Sequence, residues 1–129
     1  MALRCTQLNS KYDSWQGPAI IGCSTPLKSC PAAAASYWTA YGENMSAAAR
    51  ALPPQHGAFI ANCRAHCQTG TASAWSGTTV GGVAMGEAFR SWYHQTNGSS
   101  AYRWVEACPG TDGSCGGDKC AGKGNGVKP

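Results

Sequence analysis

No stretch of this sequence is long and apolar enough to span a bilayer, because every apolar run is short and broken by Gly, Pro or a polar residue. The opening Met1-Ala2-Leu3-Arg4-Cys5 has no apolar core ahead of a small-residue cleavage site, so it does not resemble a secretory leader. Charge is also scarce, at 12% of residues, and the net +4 comes from scattered basic side chains. The densest basic group, Lys119, Lys123 and Lys128, lies among glycines with no aromatic residue interleaved. That composition argues against a nucleic-acid face and for a solvated tail. Internal repeats are absent. So is a nucleophile elbow, the G-x-S-x-G turn between a strand and a helix. Gly22-Cys23-Ser24 begins like one, but Thr25-Pro26 follows, and proline removes an amide that an oxyanion hole would need. Gly113-Ser114-Cys115-Gly116 lacks the first glycine and any preceding strand.

What the chain does have is cysteine. Eight of them in a short, loop-rich sequence point to disulfides and an oxidising compartment. The triplets Asn44-Met45-Ser46 and Asn97-Gly98-Ser99 fit glycosylation, although such triplets also arise by chance. Secretory chemistry without a leader is most simply resolved if an N-terminal portion lies upstream of Met1. Loop proximity predicts a bond between Cys23 and Cys30 and leaves the other pairings open. Cys63, His66 and Cys67, with Cys108, Cys115 and Cys120, could be imagined around zinc. The spacing is irregular, however, and shows no paired C-x2-4-C knuckles. No metal or cofactor is expected.

Along the chain, Ala2 to Leu8 reads as a strand entering a loop at Asn9-Ser10-Lys11-Tyr12-Asp13, and residues 17–31 read as a Pro- and Ser-punctuated loop. A helix is predicted from Ala32 to Leu52, with Tyr37, Tyr41, Met45 and Ala48 on its apolar stripe, ended by Pro53-Pro54. Gly57 to Ala61 suits a buried strand, and a Gly/Ser/Thr-rich loop interrupted by Trp75 follows it. A second helix is predicted from Val83 to His94, with Val83, Phe89, Trp92 and Tyr93 facing a core. Trp104 and Val105 are the last apolar anchors, and residues 121–129 are expected to be disordered. This alternation suits the last part of an α/β sheet. Two strands and two helices make a poor core alone, which argues for a fragment.

Two residues carry candidate chemistry. Asp13 follows the first strand, and functional groups in open α/β sheets gather at the carboxyl ends of strands. A carboxylate there can orient a histidine and stabilise its imidazolium; equally, an Asp at that point can be an Asx-turn or a helix cap. His66 follows the second strand between two cysteines, where disulfides would hold it in place as a general base; a hydrogen-bonded structural histidine is the ordinary alternative. His56, beside a turn, and His94, at a helix end, are expected to face solvent.

Leu8-Asn9-Ser10-x-Tyr12-Asp13-x-Trp15-Gln16 resembles the block around the triad aspartate of the pectin acetylesterase/Notum family. Phe59-Ile60-x-x-Cys63-x-Ala65-His66-Cys67-Gln68-Thr69 is similar to the plant-type block around that family's triad histidine. Trp75, Val80-x-Gly82, Glu87-Ala88-x-x-x-Trp92-Tyr93 and Cys108-Pro109 match downstream in order and spacing. The resemblance implies a disulfide-rich α/β-hydrolase-like fold, with residues 1–120 as the C-terminal part of the esterase domain. It implies Asp13 as orienting acid and His66 as general base, in the chain order Ser, Asp, His. The serine would then precede Met1, and the chain alone would be inactive. The implied activity is a secreted cell-wall esterase that deacetylates a polysaccharide such as pectin, as a monomer, without nucleic-acid or membrane partners. A disulfide-rich binding module descended from such an esterase is the alternative.

Overall fold

The computed structural model of the chain describes residues 4–23, 30–95 and 102–107. The predicted tail at 121–129, Ser24, Ser114, the Asn97 triplet and the cysteines at 108, 115 and 120 lie outside them. The described residues form a mixed helix and strand fold built on a parallel sheet. Strand β1 (Thr6–Tyr12) leads to a π-helical turn at Gly17–Ile21 and then to α1 (Ala32–Arg50). Strand β2 (Gly57–Arg64) follows, then a 3-10 turn at Gln68–Gly70 and α2 (Ala72–Gly77). A short hairpin of β3 (Thr79–Val80) and β4 (Val83–Ala84) leads into α3 (Met85–His94), and β5 (Arg103–Val105) completes the sheet.

The sheet runs β1-β2-β5, with β2 parallel to both neighbours. Parallel neighbours require crossovers, and here the crossovers are helical. Strand β2 is buried from Gly57 to Cys63, as a central strand covered on both faces should be. Its side chains alternate between two cores. Phe59, Ala61 and Cys63 pack with Ala74, Val80, Met85 and Ala88 on the α2 and α3 side, joined by Leu8 and Trp104. Ala58 and Ile60 pack with Ala49, Met45, Leu52 and Val105 on the α1 side. The result is three layers, helix on sheet on helix, compatible with the expected α/β class. Among the described residues no helix is long and apolar enough to cross a membrane.

Several boundaries differ from expectation. The segment Asn9 to Tyr12, predicted as loop, is the second half of β1. Its residues are polar, yet Ser10 and Lys11 are buried because each has a tertiary partner. The Asn9 side-chain oxygen accepts the Ser10 N–H at 2.9 Å, the Gln68 amide donates to the Ser10 hydroxyl, and the Lys11 ammonium meets Glu43 of α1 at 2.5 Å. Such partners override weak β propensity. Strand β2 continues three residues past Ala61, and the loop after Gln68 contains α2 and the hairpin. The second helix starts at Met85 because Val83 and Ala84 are taken by the hairpin.

The predicted stripes are displaced in part: Met45 and Val83 pack against the two cores as expected, but the fully buried positions are others. In α1 the buried positions are Trp38, Gly42, Ser46 and Ala49, whereas Tyr37 and Tyr41 face outward. In α3 they are Met85, Ala88 and Ser91, and Tyr93 is exposed. Small residues form much of both inner faces, so the large aromatic residues gave the wrong phase. Cys23 and Cys30 are disulfide-bonded as expected.

Gly42 shows why smallness is needed. A Cβ added there would lie 2.6 Å from Tyr12 Cε1 and 3.1 Å from Lys11 Cγ. Burial, followed by the nearby Glu43 charge, pushes the Tyr12 phenol up to about 12, so it stays neutral and fixed against the helix. Alanine at an exposed helical glycine would gain roughly 1 kcal/mol of propensity. Here Gly42→Ala is predicted instead to destabilise by about 1–3 kcal/mol through overpacking. Urea midpoints of the two proteins at one pH check it, and an equal or higher midpoint for the alanine form refutes it.

Candidate active site

Because β1 and β2 are parallel neighbours, their carboxyl ends open on the same side of the sheet. Asp13 follows β1 by one residue and His66 follows β2 by two. The strand register shifts between Ser10 and Tyr12, where the partner moves from Ala61 to Arg64. This places one extra residue in β2 just before the site, a device that re-aims the side chains that follow.

The two candidate residues meet. Asp13 Oδ2 lies 2.8 Å from His66 Nδ1. Asp13 Oδ1 accepts the backbone N–H of Trp15 at 2.8 Å and of Gln16 at 2.9 Å. The turn-former and histidine-partner alternatives for Asp13 therefore hold together, one oxygen for each. Burial alone pushes the carboxyl up, but the His66 hydrogen bond and the Gln16 and Trp15 amides outweigh it and hold Asp13 below its ordinary 3.8. As an acceptor-only carboxylate, it takes the proton-bearing Nδ1–H of the imidazole, which leaves the Nε2 lone pair available.

His66 is 43% exposed, and no described group forms a hydrogen bond with its Nε2. A side chain that accepts protons from an incoming molecule needs that access. The support on its flanks is uneven. Cys63 is disulfide-bonded, which removes its thiolate as a metal ligand, but Cys67 is a free, exposed thiol, contrary to the expected staple on both sides. Cys67 also adopts a left-handed backbone, φ 52°, that turns the chain sharply after His66 into the Gln68–Gly70 turn. Gln68 then reaches back to the Ser10 hydroxyl and ties this loop to β1.

Two features went unnoticed in the sequence. Trp15 stacks on the His66 ring, with centroids 5.7 Å apart and planes at 29°. One residue thus touches both partners, its amide on Asp13 and its indole on His66. The second feature is a cleft between the Gly17–Ile21 turn and α1, lined by Asp13, Gln16, Ile20, Tyr37 and Tyr41, with Trp38 beneath. The Tyr37 and Tyr41 spacing was a usable signal, but it marks a surface and not the core. The other histidines stay apart from the site. His56 is half-buried, not solvent-facing, and its Nδ1 accepts the Cys5 N–H at 3.2 Å. His94 ends α3 and is exposed, as expected.

The sequence model of the family described as Pectinacetylesterase matches residues 6–115. Pectin acetylesterase 7 of Arabidopsis thaliana is 30% identical over 122 residues, covering 79% of this chain and 29% of that protein. Pectin acetylesterase 11 of the same plant is 30% identical over 105 residues, covering 68% of this chain and 27% of that protein. The chain therefore spans less than a third of the length of these curated relatives. No solved structure matches it.

The lowered Asp13 pKa has a defined signature in stability. A depressed carboxyl contributes stability above its unfolded value, near 3.9, and loses it as pH falls through the folded value. The stability gap between the native chain and Asp13→Asn should be full at neutral pH, shrink below about pH 4 and close in stronger acid. Denaturation midpoints of both proteins from neutral to acid pH measure it. A gap that stays constant with pH contradicts the assignment.

Proposed function

This chain belongs to the pectinacetylesterase family, and from that premise we propose that it supplies the general base and orienting acid of a serine carboxylic-ester hydrolase. The observation that carries the proposal is the 2.8 Å contact of Asp13 Oδ2 with His66 Nδ1 at the ends of adjacent parallel strands. Residues 1–120 would be the C-terminal part of an α/β-hydrolase-like domain, with 121–129 a tail. The substrate proposed is an acetylated cell-wall polysaccharide such as pectin, in keeping with the names of the Arabidopsis relatives. The parent protein would be extracellular and act as a monomer.

The mechanism follows from proton positions. A serine hydroxyl, supplied from outside the described residues, attacks the ester carbonyl while His66 Nε2 takes its proton. The resulting imidazolium donates Nδ1–H to the Asp13 carboxylate, which is already ionised and held by two amides. His66 then protonates the sugar oxygen as the C–O bond breaks, leaving an acetyl-serine. Water attacks that acyl group, Nε2 again takes the proton and returns it to serine, and acetate leaves. No step needs a metal or a cofactor. Oxyanion donors would come from the same outside region as the serine.

In a polypeptide that contains the nucleophile, His66→Ala is expected to reduce acetate release from p-nitrophenyl acetate and from acetylated pectin to near background. Asp13→Asn should cost roughly 10⁴-fold in kcat, the size known for the equivalent change in a serine protease. Residues 1–129 alone should show only background hydrolysis, because triad members act as a unit. Turnover retained in His66→Ala would falsify the base assignment. A nucleophile-containing polypeptide with no turnover at all would favour the binding-module alternative.

A further inference from the structure

Any residue except proline at position 15 would offer Asp13 the same backbone N–H, so that hydrogen bond does not explain why the side chain is an indole. Nor does core packing. Trp15 is 57% exposed and belongs to neither hydrophobic cluster. What the indole does touch is the His66 imidazole, with ring centroids 5.7 Å apart and planes at 29°, an offset-stacked arrangement. The imidazole is therefore held in two ways. Asp13 Oδ2 meets its Nδ1 edge at 2.8 Å, and Trp15 covers one of its faces. A single edge contact leaves a ring free to rock about the line joining the two atoms, and a stacked plane opposes that rotation. Little else is there to oppose it. His66 is 43% exposed, and the chain turns away immediately after it through the left-handed Cys67.

The contact also changes in strength during acyl transfer. The face of an aromatic ring carries negative charge density and attracts a cation more than a neutral ring. His66 would be neutral while substrate binds and charged once it holds the serine proton. An interaction that grows with that charge lowers the barrier without tightening the ground-state complex. Resting on the esterase reading above, we infer that Trp15 is a positioning residue for that reaction: its indole fixes the plane of the His66 ring against Asp13 and favours the imidazolium over the imidazole. It acts through His66 and touches no reacting atom. An indole that merely rests on its neighbour predicts the opposite, turnover indifferent to its removal.

Turnover of p-nitrophenyl acetate by the full protein, nucleophile included, tests this with Trp15→Ala, Trp15→Leu and Trp15→Phe. The alanine and leucine forms should each lose about three- to tenfold in kcat, with KM held within about twofold. Trp15→Phe restores a ring face and should recover most of the loss. Leucine supplies apolar bulk without a π face, so it separates stacking from packing. Equal urea midpoints for the leucine and phenylalanine forms show that folding is not what divides them, and that pair decides the matter if the alanine form does not fold. In the proton NMR spectrum, the His66 ring signals, identified by their loss in His66→Ala, should move downfield in Trp15→Leu as the indole ring current disappears. Full kcat in Trp15→Leu, a loss confined to KM, a phenylalanine form no better than the leucine form, or His66 signals that do not move each overturn the proposal. A protein that needs His66 yet is indifferent to Trp15 sinks the positioning role alone. Turnover that survives His66→Ala, or none in the unsubstituted protein, sinks the esterase reading and this one with it.

Discussion

Parallel pairing of β1 with β2 in one register is the constraint on which everything else in this structure rests. From Thr6 with Gly57 to Ser10 with Ala61 the strands run in step, so Leu8 lies beside Phe59 on one face and Asn9 beside Ile60 on the other. A slip by one residue would exchange those faces and turn Leu8 from the α2 and α3 core toward α1. The same pairing brings the two strand ends together. The Asp13–His66 contact therefore depends on the hydrophobic pattern of the sheet as much as on the two residues that make it.

The cost of that pairing falls on β1, whose last residues are polar and buried. Lys11 is 1% exposed, and its charge is offset by Glu43 and by the face of Tyr12, 5.5 Å away. An uncompensated ammonium at that depth would be prohibitive, and Glu43 of α1 is one of the groups that compensate it. Gly42, one residue earlier, lets the helix come close enough. Strand, helix and site are thus coupled: Glu43 secures Lys11, Lys11 extends β1, and the end of β1 delivers Asp13.

Much of the site was legible in the sequence and rather less of the fold. Asp13 and His66 were recognisable because extended blocks around them resemble those of one esterase family, whereas each residue alone suited a bland role. The helices from Ala32 and into His94 were legible from spacing and proline punctuation. The second half of β1 was not, because Asn9-Ser10-Lys11 have the local chemistry of a turn and become strand only through Gln68, Glu43 and the sheet. The helix faces were missed for a related physical reason. Periodicity identifies a stripe of large residues but not the side on which the protein has placed its interior. Here Gly42, Ser46 and Ala49 let α1 lie close to the sheet, and the tyrosines were left to the surface. The third strand, with three residues, is too short to have a period.

The division of labour within the Asp13 carboxylate reaches beyond the proposed reaction. One oxygen organises the turn at Trp15 and Gln16, and only the other serves the imidazole. Were the proposed ester chemistry lost, the first oxygen would still hold this turn, and the aspartate would keep a structural reason to remain. An intact acid at this position is therefore no record of turnover. The histidine, more exposed and held by fewer contacts, would under the proposed function be the member whose loss marks the loss of catalysis.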